Sequence, residues 1–303
     1  MTAWNRLFSA FAIGLLSFPA LASAQTVVAA PPSDSETSSA AQPAPTVQPP
    51  AAPSASDQLE ANPSRPSNSH SAELLAPGLL QAEYGFAREW ERDSSIANAV
   101  GGELRFGVAR DLEFRWGGNF LNYDQFPAVS QRGFGDQLLT GEYHFKNQSA
   151  LVPALAASYT IKIPAANEAL GLGTGRIDHS FAFLASKTIQ KFTCDVNVFY
   201  QVIGQTAGTG HDENEVVFLT VSHPLYGPLT LVGEIDAYTR LNPELPAYAS
   251  NLWALSYRVH RLVVLDASFT PGITARAPQK KIAFGLTYAL ANLYGSRSPS
   301  GQR

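Results

Sequence analysis

Residues Leu151 to Pro164 read LVPALAASYTIKIP, followed by AANEALGLGTGRID (Ala165–Asp178) and HSFAFLASKTI (His179–Ile189). In the first run Leu151, Leu155, Tyr159, Ile161 and Ile163 share one parity. Val152, Ala154, Ala156, Ser158, Thr160 and Lys162 share the other and are mostly small or polar. Period two predicts a strand with one greasy face and one wet face. After the glycine-rich loop the second run alternates again. A hairpin this tall suits a strand pair crossing a bilayer, which needs about 9–11 tilted residues per strand.

The totals point the same way. The chain has 303 residues, 15% of them charged, against about 25% in ordinary soluble domains. Mean hydropathy is only −0.06, and past the leader no apolar run approaches the roughly 20 residues of a membrane helix. Little charge, little net hydrophobicity and 11% aromatics fit a membrane barrel whose apolar positions alternate with inward polar ones. A net charge of −4 without a basic run argues against a nucleic-acid partner. The single cysteine, Cys194, has no partner for an intramolecular disulfide and reads as a small hydrophobe.

Met1–Ala24 has the form of a secretory signal: Arg6 in the n-region, an apolar core from Leu7 to Leu21, and Ala22-Ser23-Ala24 before Gln25. Residues 25–73 are rich in Pro, Ala, Ser and Thr and are expected to be a disordered periplasmic linker, a spacer or a tether. From Leu79 onward alternation predicts strands at 79–90, 98–109, 111–123, 135–146, 151–163, 179–189, 191–204, 214–225, 228–241, 247–259, 261–270 and 280–290. Asn214–Leu225 alternates poorly and is the weakest of the twelve.

The links are informative. Short ones at Arg110-Asp111, Lys146–Ala150, Gln190-Lys191, Tyr226–Pro228 and His260-Arg261 take turns with longer ones, as turns and loops do at the two ends of an up-and-down barrel. An even strand number places both termini on the periplasmic side. Aromatics collect near strand ends, with Trp90, Tyr123, Tyr200 and Tyr238 toward the loops and Phe145, Phe192, Tyr226 and Tyr257 toward the turns. These are the positions of interfacial girdles. The last strand carries Gly285, Tyr288 and Leu290, a pattern similar to the assembly signal read by barrel-assembly machinery. A tail, Ala291–Arg303, follows it.

PGLLQAEYGF (77–86), GELRFGVARDLEFRW (102–116), KIP (162–164) with GLGTGRIDHSF (171–181), and TRL (239–241) with LWALSYRV (252–259) and LVVLDASF (262–269) together resemble a family. It is the outer-membrane transporters named for the MetA pathway of phenol degradation. The resemblance spans about residues 74–290. It implies an all-β transmembrane barrel in the outer membrane of a Gram-negative-type bacterium, passing small hydrophobic or aromatic solutes by passive diffusion without a cofactor.

By parity the inside of such a barrel holds Glu83, Glu103, Arg105, Glu113, Arg115, Glu142, Lys162, Asp195, Glu234, Asp236, Arg240, Arg258, Asp266 and Lys281. These charges must pair or stay hydrated, so they form a wet channel, a salt-bridged network, or both. Gly171, Gly173 and Gly175 are compatible with a phosphate cradle, but they lie between two strands, so a loop is expected. His211, Asp212, Glu213 and Glu215 could offer oxygen ligands to a cation, though a solvated loop is the simpler reading. His144, His179 and Ser180 raise a barrel lipase, without a GxSxG motif to support it. A transporter, a barrel enzyme and a tethered structural barrel are the competing functions, and membrane lipid and a small solute are the expected partners.

Overall fold

The structure is a computed structural model and describes residues 59–126, 129–205, 209–242 and 245–294. The signal sequence, residues 25–58 and the tail beyond Tyr294 lie outside the described residues. The strands are β1 (Leu79–Trp90), β2 (Ile96–Gly107), β3 (Leu112–Gln125), β4 (Ser130–Gly133), β5 (Gln137–Lys146), β6 (Ala154–Ile163) and β7 (Asp178–Ile189). They continue with β8 (Phe192–Gly204), β9 (His211–Tyr226), β10 (Leu229–Tyr238), β11 (Tyr248–His260), β12 (Val263–Pro271) and β13 (Lys280–Asn292). Twelve of them pair antiparallel with their neighbours in sequence. The short β4 only extends the edge of β3, with Asn122 opposite Gly133.

β1 pairs with β13 from Leu79↔Asn292 to Trp90↔Lys280, which closes the sheet into a barrel. Closure gives each of the twelve wall strands a partner on both sides and leaves no edge exposed to lipid. The alternation has the sign of a membrane barrel. On β3 Leu112, Phe114 and Trp116 are 38%, 45% and 48% exposed, whereas Glu113 and Arg115 between them are almost completely buried. Phe181 and Phe183, Trp253 and Leu255, and Phe284 and Leu286 repeat the pattern around the wall. The apolar band therefore faces out and the charges face in.

Most links match their expected lengths; β4 lies in a stretch read as a link, and two further elements differ from the sequence reading. β6 begins at Ala154, because Pro153 has no N–H to give to a ladder; Leu151 stands 94% exposed in the turn. β9, weak in the sequence, is the longest strand at 16 residues. Its inward residues include Val216 and Phe218, which erase the contrast between its two faces.

The largest departure precedes the barrel. Residues 59–73, expected to be part of a disordered linker, lie inside the barrel instead. Hydrogen bonds from residues 62–75 reach Glu83 on β1, Glu234 on β10, Asn197 on β8, Ser186 on β7, His144 on β5 and Glu113 on β3. A segment that touches strands all around a closed ring does so from within it. Its ends lie at one mouth, the end of the short turns. Ala61 N–H donates to Arg261 O in the β11–β12 turn, and Gly78 N–H donates to Gly107 O at the end of β2. Between them Asn68 reaches Asp236, two residues from the other end of β10. We call this loop the lasso. Its lower ends are sealed by apolar contacts of Leu59, Ala61 and Leu75 with Leu79, Leu262, Val264 and Ala289.

Candidate channel lumen

One side of the lumen, from β1 to β5, is an ion network. Arg105 places Nη1 3.0 Å from Glu83 and Nε 2.7 Å from Glu113. Arg115 places Nε 2.9 Å from Glu113 and Nη2 2.8 Å from Glu142, with Glu103 farther off at 3.8 Å. Both arginines, Glu83, Glu113 and Glu142 are buried, and only Glu103 keeps a partly open carboxylate. Taking such ions out of water is costly unless each is paired and hydrogen-bonded. The strand alternation puts them on one face, and because Arg105 lies opposite Arg115 and Glu113 opposite Glu142, the ion pairs form diagonally across the ladders.

The opposite side, from β7 to β12, is built differently. Asp195, Glu234, Asp236 and Asp266 face in, and among the described residues none of them is ion-paired with a strand arginine; Arg258 on β11 pairs with Glu60 instead. Their partners are hydroxyls and the lasso. Glu234 accepts from Asn68 N–H, Ser69 N–H and Thr220 Oγ1 at 2.9, 2.9 and 2.6 Å. Asp236 accepts from Asn68 Nδ2 and Ser250 Oγ through Oδ2 alone, while its buried Oδ1 has no hydrogen-bond partner. Asp266 takes Arg65 Nε and Nη2, each at 3.2 Å. Asp195 accepts from Ser186 Oγ at 2.5 Å. On the network side the lasso does the same for Glu83, through Ser64 N–H, Ser64 Oγ and Arg65 N–H. His70 is clamped by Asn197, which accepts from its N–H and donates to its carbonyl.

The remaining sequence candidates lie toward the ends. Lys162, near the long loops, sits 2.6 Å from Asp178 and 3.1 Å from Asp136, and Asp136 also accepts from Ala165 and Ala166 N–H. That latch holds the glycine-rich loop in place. Arg258, at the short-turn mouth, meets Glu60 and the carbonyl of Ala61. Lys281 lines a small cavity with Glu89 and Asp236.

Arg240, expected inside the barrel, does not face the lumen. β10 ends at Tyr238, where its pairing with Tyr248 stops, so Arg240 lies in the following loop, exposed, with Nε donating to Asn242 O. Tyr238 also departs from the expected girdle. It shares the inward parity of Asp236 and stacks on Tyr248 at 4.3 Å. His179 stacks on and hydrogen-bonds Tyr159 on the outer face, whereas its neighbour Ser180 has the inward parity and His144 holds Ala72 O. These residues do not converge. Among the described residues no His, Cys, Asp and Glu group has the geometry of a metal site.

Two hollows back onto each other across the β1–β3 wall. The inner one, about 290 Å3, has Arg65 and His70 of the lasso on its floor and Gly85, Gly101, Gly102 and Gly118 along its side. The outer one, about 160 Å3, is lined by Tyr84, Leu104, Trp116 and Phe120. Glu83, Gly102 and Glu103 border both. The ladder bulges between Val100 and Gly101, and Gly118 adopts φ +149°, a conformation that favours glycine. At these glycines no side chain thickens the wall, while the β1–β2 and β2–β3 ladders run on across it.

The sequence could not reveal the lasso residues that complete the site. Ser64–His70, SRPSNSH, carries no period and one charge, and its contribution is largely backbone N–H groups that every residue has.

A closed twelve-stranded antiparallel barrel with an apolar outside and a charged, occupied inside is a membrane barrel of the outer-membrane type. No family model matches the chain, and no curated protein is significantly similar to it. Among solved structures it is similar to an outer-membrane channel from Pseudomonas putida F1, at 13% identity and a TM-score of 0.59, over 74% of this chain and all of that one. The NanC porin also matches, at 8% identity and a TM-score of 0.49, over 70% of this chain and all of that one. At these identities the likeness is one of fold.

Proposed function

We propose that the protein is a non-enzymatic outer-membrane channel that passes small hydrophobic or aromatic compounds by passive diffusion, with both termini in the periplasm. The observation that carries this reading is the pair of hollows separated by the glycine-lined wall. A polar solute moving along the barrel axis meets the lasso. An apolar one held in the inner hollow has a short way to the lipid-facing hollow, where burying its surface gains roughly 25 cal/mol per Å2. The fold shared with the Pseudomonas putida F1 channel supports the location and the class. The lasso's two ends at the short-turn mouth support periplasmic termini, since short turns face the periplasm in this class.

The test is uptake of a labelled monocyclic aromatic hydrocarbon by cells with an intact lipopolysaccharide layer. Ala82→Trp fills the outer hollow from the lipid side and is expected to slow uptake several-fold while the barrel still assembles. Unchanged uptake in an assembled Ala82→Trp variant overturns the wall route. No difference between cells with and without the protein overturns the channel.

A further inference from the structure

We infer that the β8–β12 wall of the lumen is a recognition site for cationic solutes rich in N–H donors, amines and guanidines, which the lasso occupies as an internal stand-in. This goes beyond the wall route proposed above and does not depend on it. The chemistry of the lasso contacts carries it. Glu234, Asp236 and Asp266 are buried; besides the wall hydroxyls of Thr220 and Ser250, what the lasso brings to them is a set of N–H groups: two backbone amides, the Asn68 amide and the Arg65 guanidinium.

The stand-in is incomplete. Among the described residues, the lasso brings Arg65 to this wall; of the strand cations, Arg258 on β11 is turned to Glu60 at the short-turn mouth and Lys281 on β13 shares a cavity with Asp236. Asp236 Oδ1 remains without a hydrogen-bond partner although Asp236 is only 2% exposed. Beside it lies a cavity of about 50 Å3 lined by Asn68, Asp236, Tyr248, Ser250 and Lys281, with room for one small group.

An ammonium or guanidinium makes charge-assisted hydrogen bonds to carboxylates, roughly twice as strong as those from neutral amides. A solute carrying two or more such groups therefore competes for the carboxylates that neutral lasso amides now satisfy. The lasso can yield, because both its ends leave by the same mouth. The stacked and edge-on aromatics Phe199, Phe218, Tyr238 and Tyr248 sit next to these carboxylates and offer faces that attract cations.

The experiment uses the full chain in liposomes with Cys194→Ala, and a single reporter, Ser71→Cys, on the lasso. The rate of maleimide labelling reports lasso release, and spermidine is the probe. Spermidine is expected to raise the rate at least fivefold over sodium chloride of equal ionic strength, and succinate is expected not to. Adding Asp236→Asn and Asp266→Asn is expected to raise the basal rate and abolish the spermidine response. Equal rates in spermidine and matched salt, or an equal effect of succinate, overturn the proposal. If Ser71→Cys fails to assemble, Ser67→Cys, whose hydroxyl bonds lasso carbonyls and not these carboxylates, is labelled instead, with the same outcomes decisive.

Discussion

Arg65 and Asp266 are 201 residues apart in the chain and meet inside the barrel, with Arg65 Nη2 3.2 Å from Asp266 Oδ1. The pair joins the loop ahead of the barrel to its second-last wall strand. It divides stability into two parts, the barrel itself and the seating of the lasso within it.

Arg65→Ala is expected to loosen the lasso and leave the barrel assembled. Arg65 is about a quarter exposed, so its loss is milder than breaking a fully buried pair. The measurement is planar-bilayer current beside gel mobility before and after heating. Frequent openings with unchanged heat-modifiable mobility are expected, and a current identical to the native chain's would show that the pair does not hold the lasso.

Arg115→Ala strikes the barrel instead. It leaves Glu113 and Glu142 buried without their shared cation, a loss on the order of 3–5 kcal/mol. The unfolding midpoint in denaturant is expected to fall clearly. Arg115→Met combined with Glu142→Gln is expected to recover part of it, since fewer charges are then stranded.

Phe284→Asp is expected to lower the yield of assembled barrel more than Ala283→Asp. Phe284 is 53% exposed on the outer face, where an acidic side chain in the hydrocarbon is destabilising, whereas Ala283 is buried on the inner one. Equal yields would contradict the facing of β13.

Arg240→Ala is expected to change neither stability nor ion selectivity. Its guanidinium Nε reaches only a backbone carbonyl two residues away in an exposed loop, and surface changes of this kind stay within about 0.5 kcal/mol. A drop in thermal stability would place it back among the structural charges.

In the β1–β2 loop, burial pushes the Glu91 carboxyl up to about 7, reinforced by Glu89 beside it. The folded loop thus holds a proton that the unfolded chain releases near 4.5. Its stabilising contribution is full below that value and disappears as pH rises through about 7. Thermal stability is expected to decline between pH 5 and 8 in the native chain relative to Glu91→Gln.

The barrel was legible because alternation is written into each strand separately. Phe114 and Trp116 against Glu113 and Arg115 need no knowledge of the partner strand. Where both faces of a strand are apolar, as at Val216 to Leu219, the pattern fades, although the strand is long. Arg240 was misplaced because the alternation of Glu234 and Asp236 ran on in sequence after β11 had ceased to pair. The lasso was illegible for a different reason. Its order comes from Glu83, Glu113 and Glu234, residues far away in sequence, and its own Pro- and Ser-rich composition reads as chain with nothing to bury.

That the lasso enters and leaves by one mouth bears on the history of the molecule as well as on its gate. A chain running the length of the pore would have to be in position before the β1–β13 seam zipped shut, or else be pulled through a finished cylinder. A loop inserted from one side has no such deadline. The wall can complete itself first, and the loop can dock afterwards, withdraw and dock again without a strand pair breaking. Docking of the loop after closure and its release by a solute would then be one movement run in opposite directions.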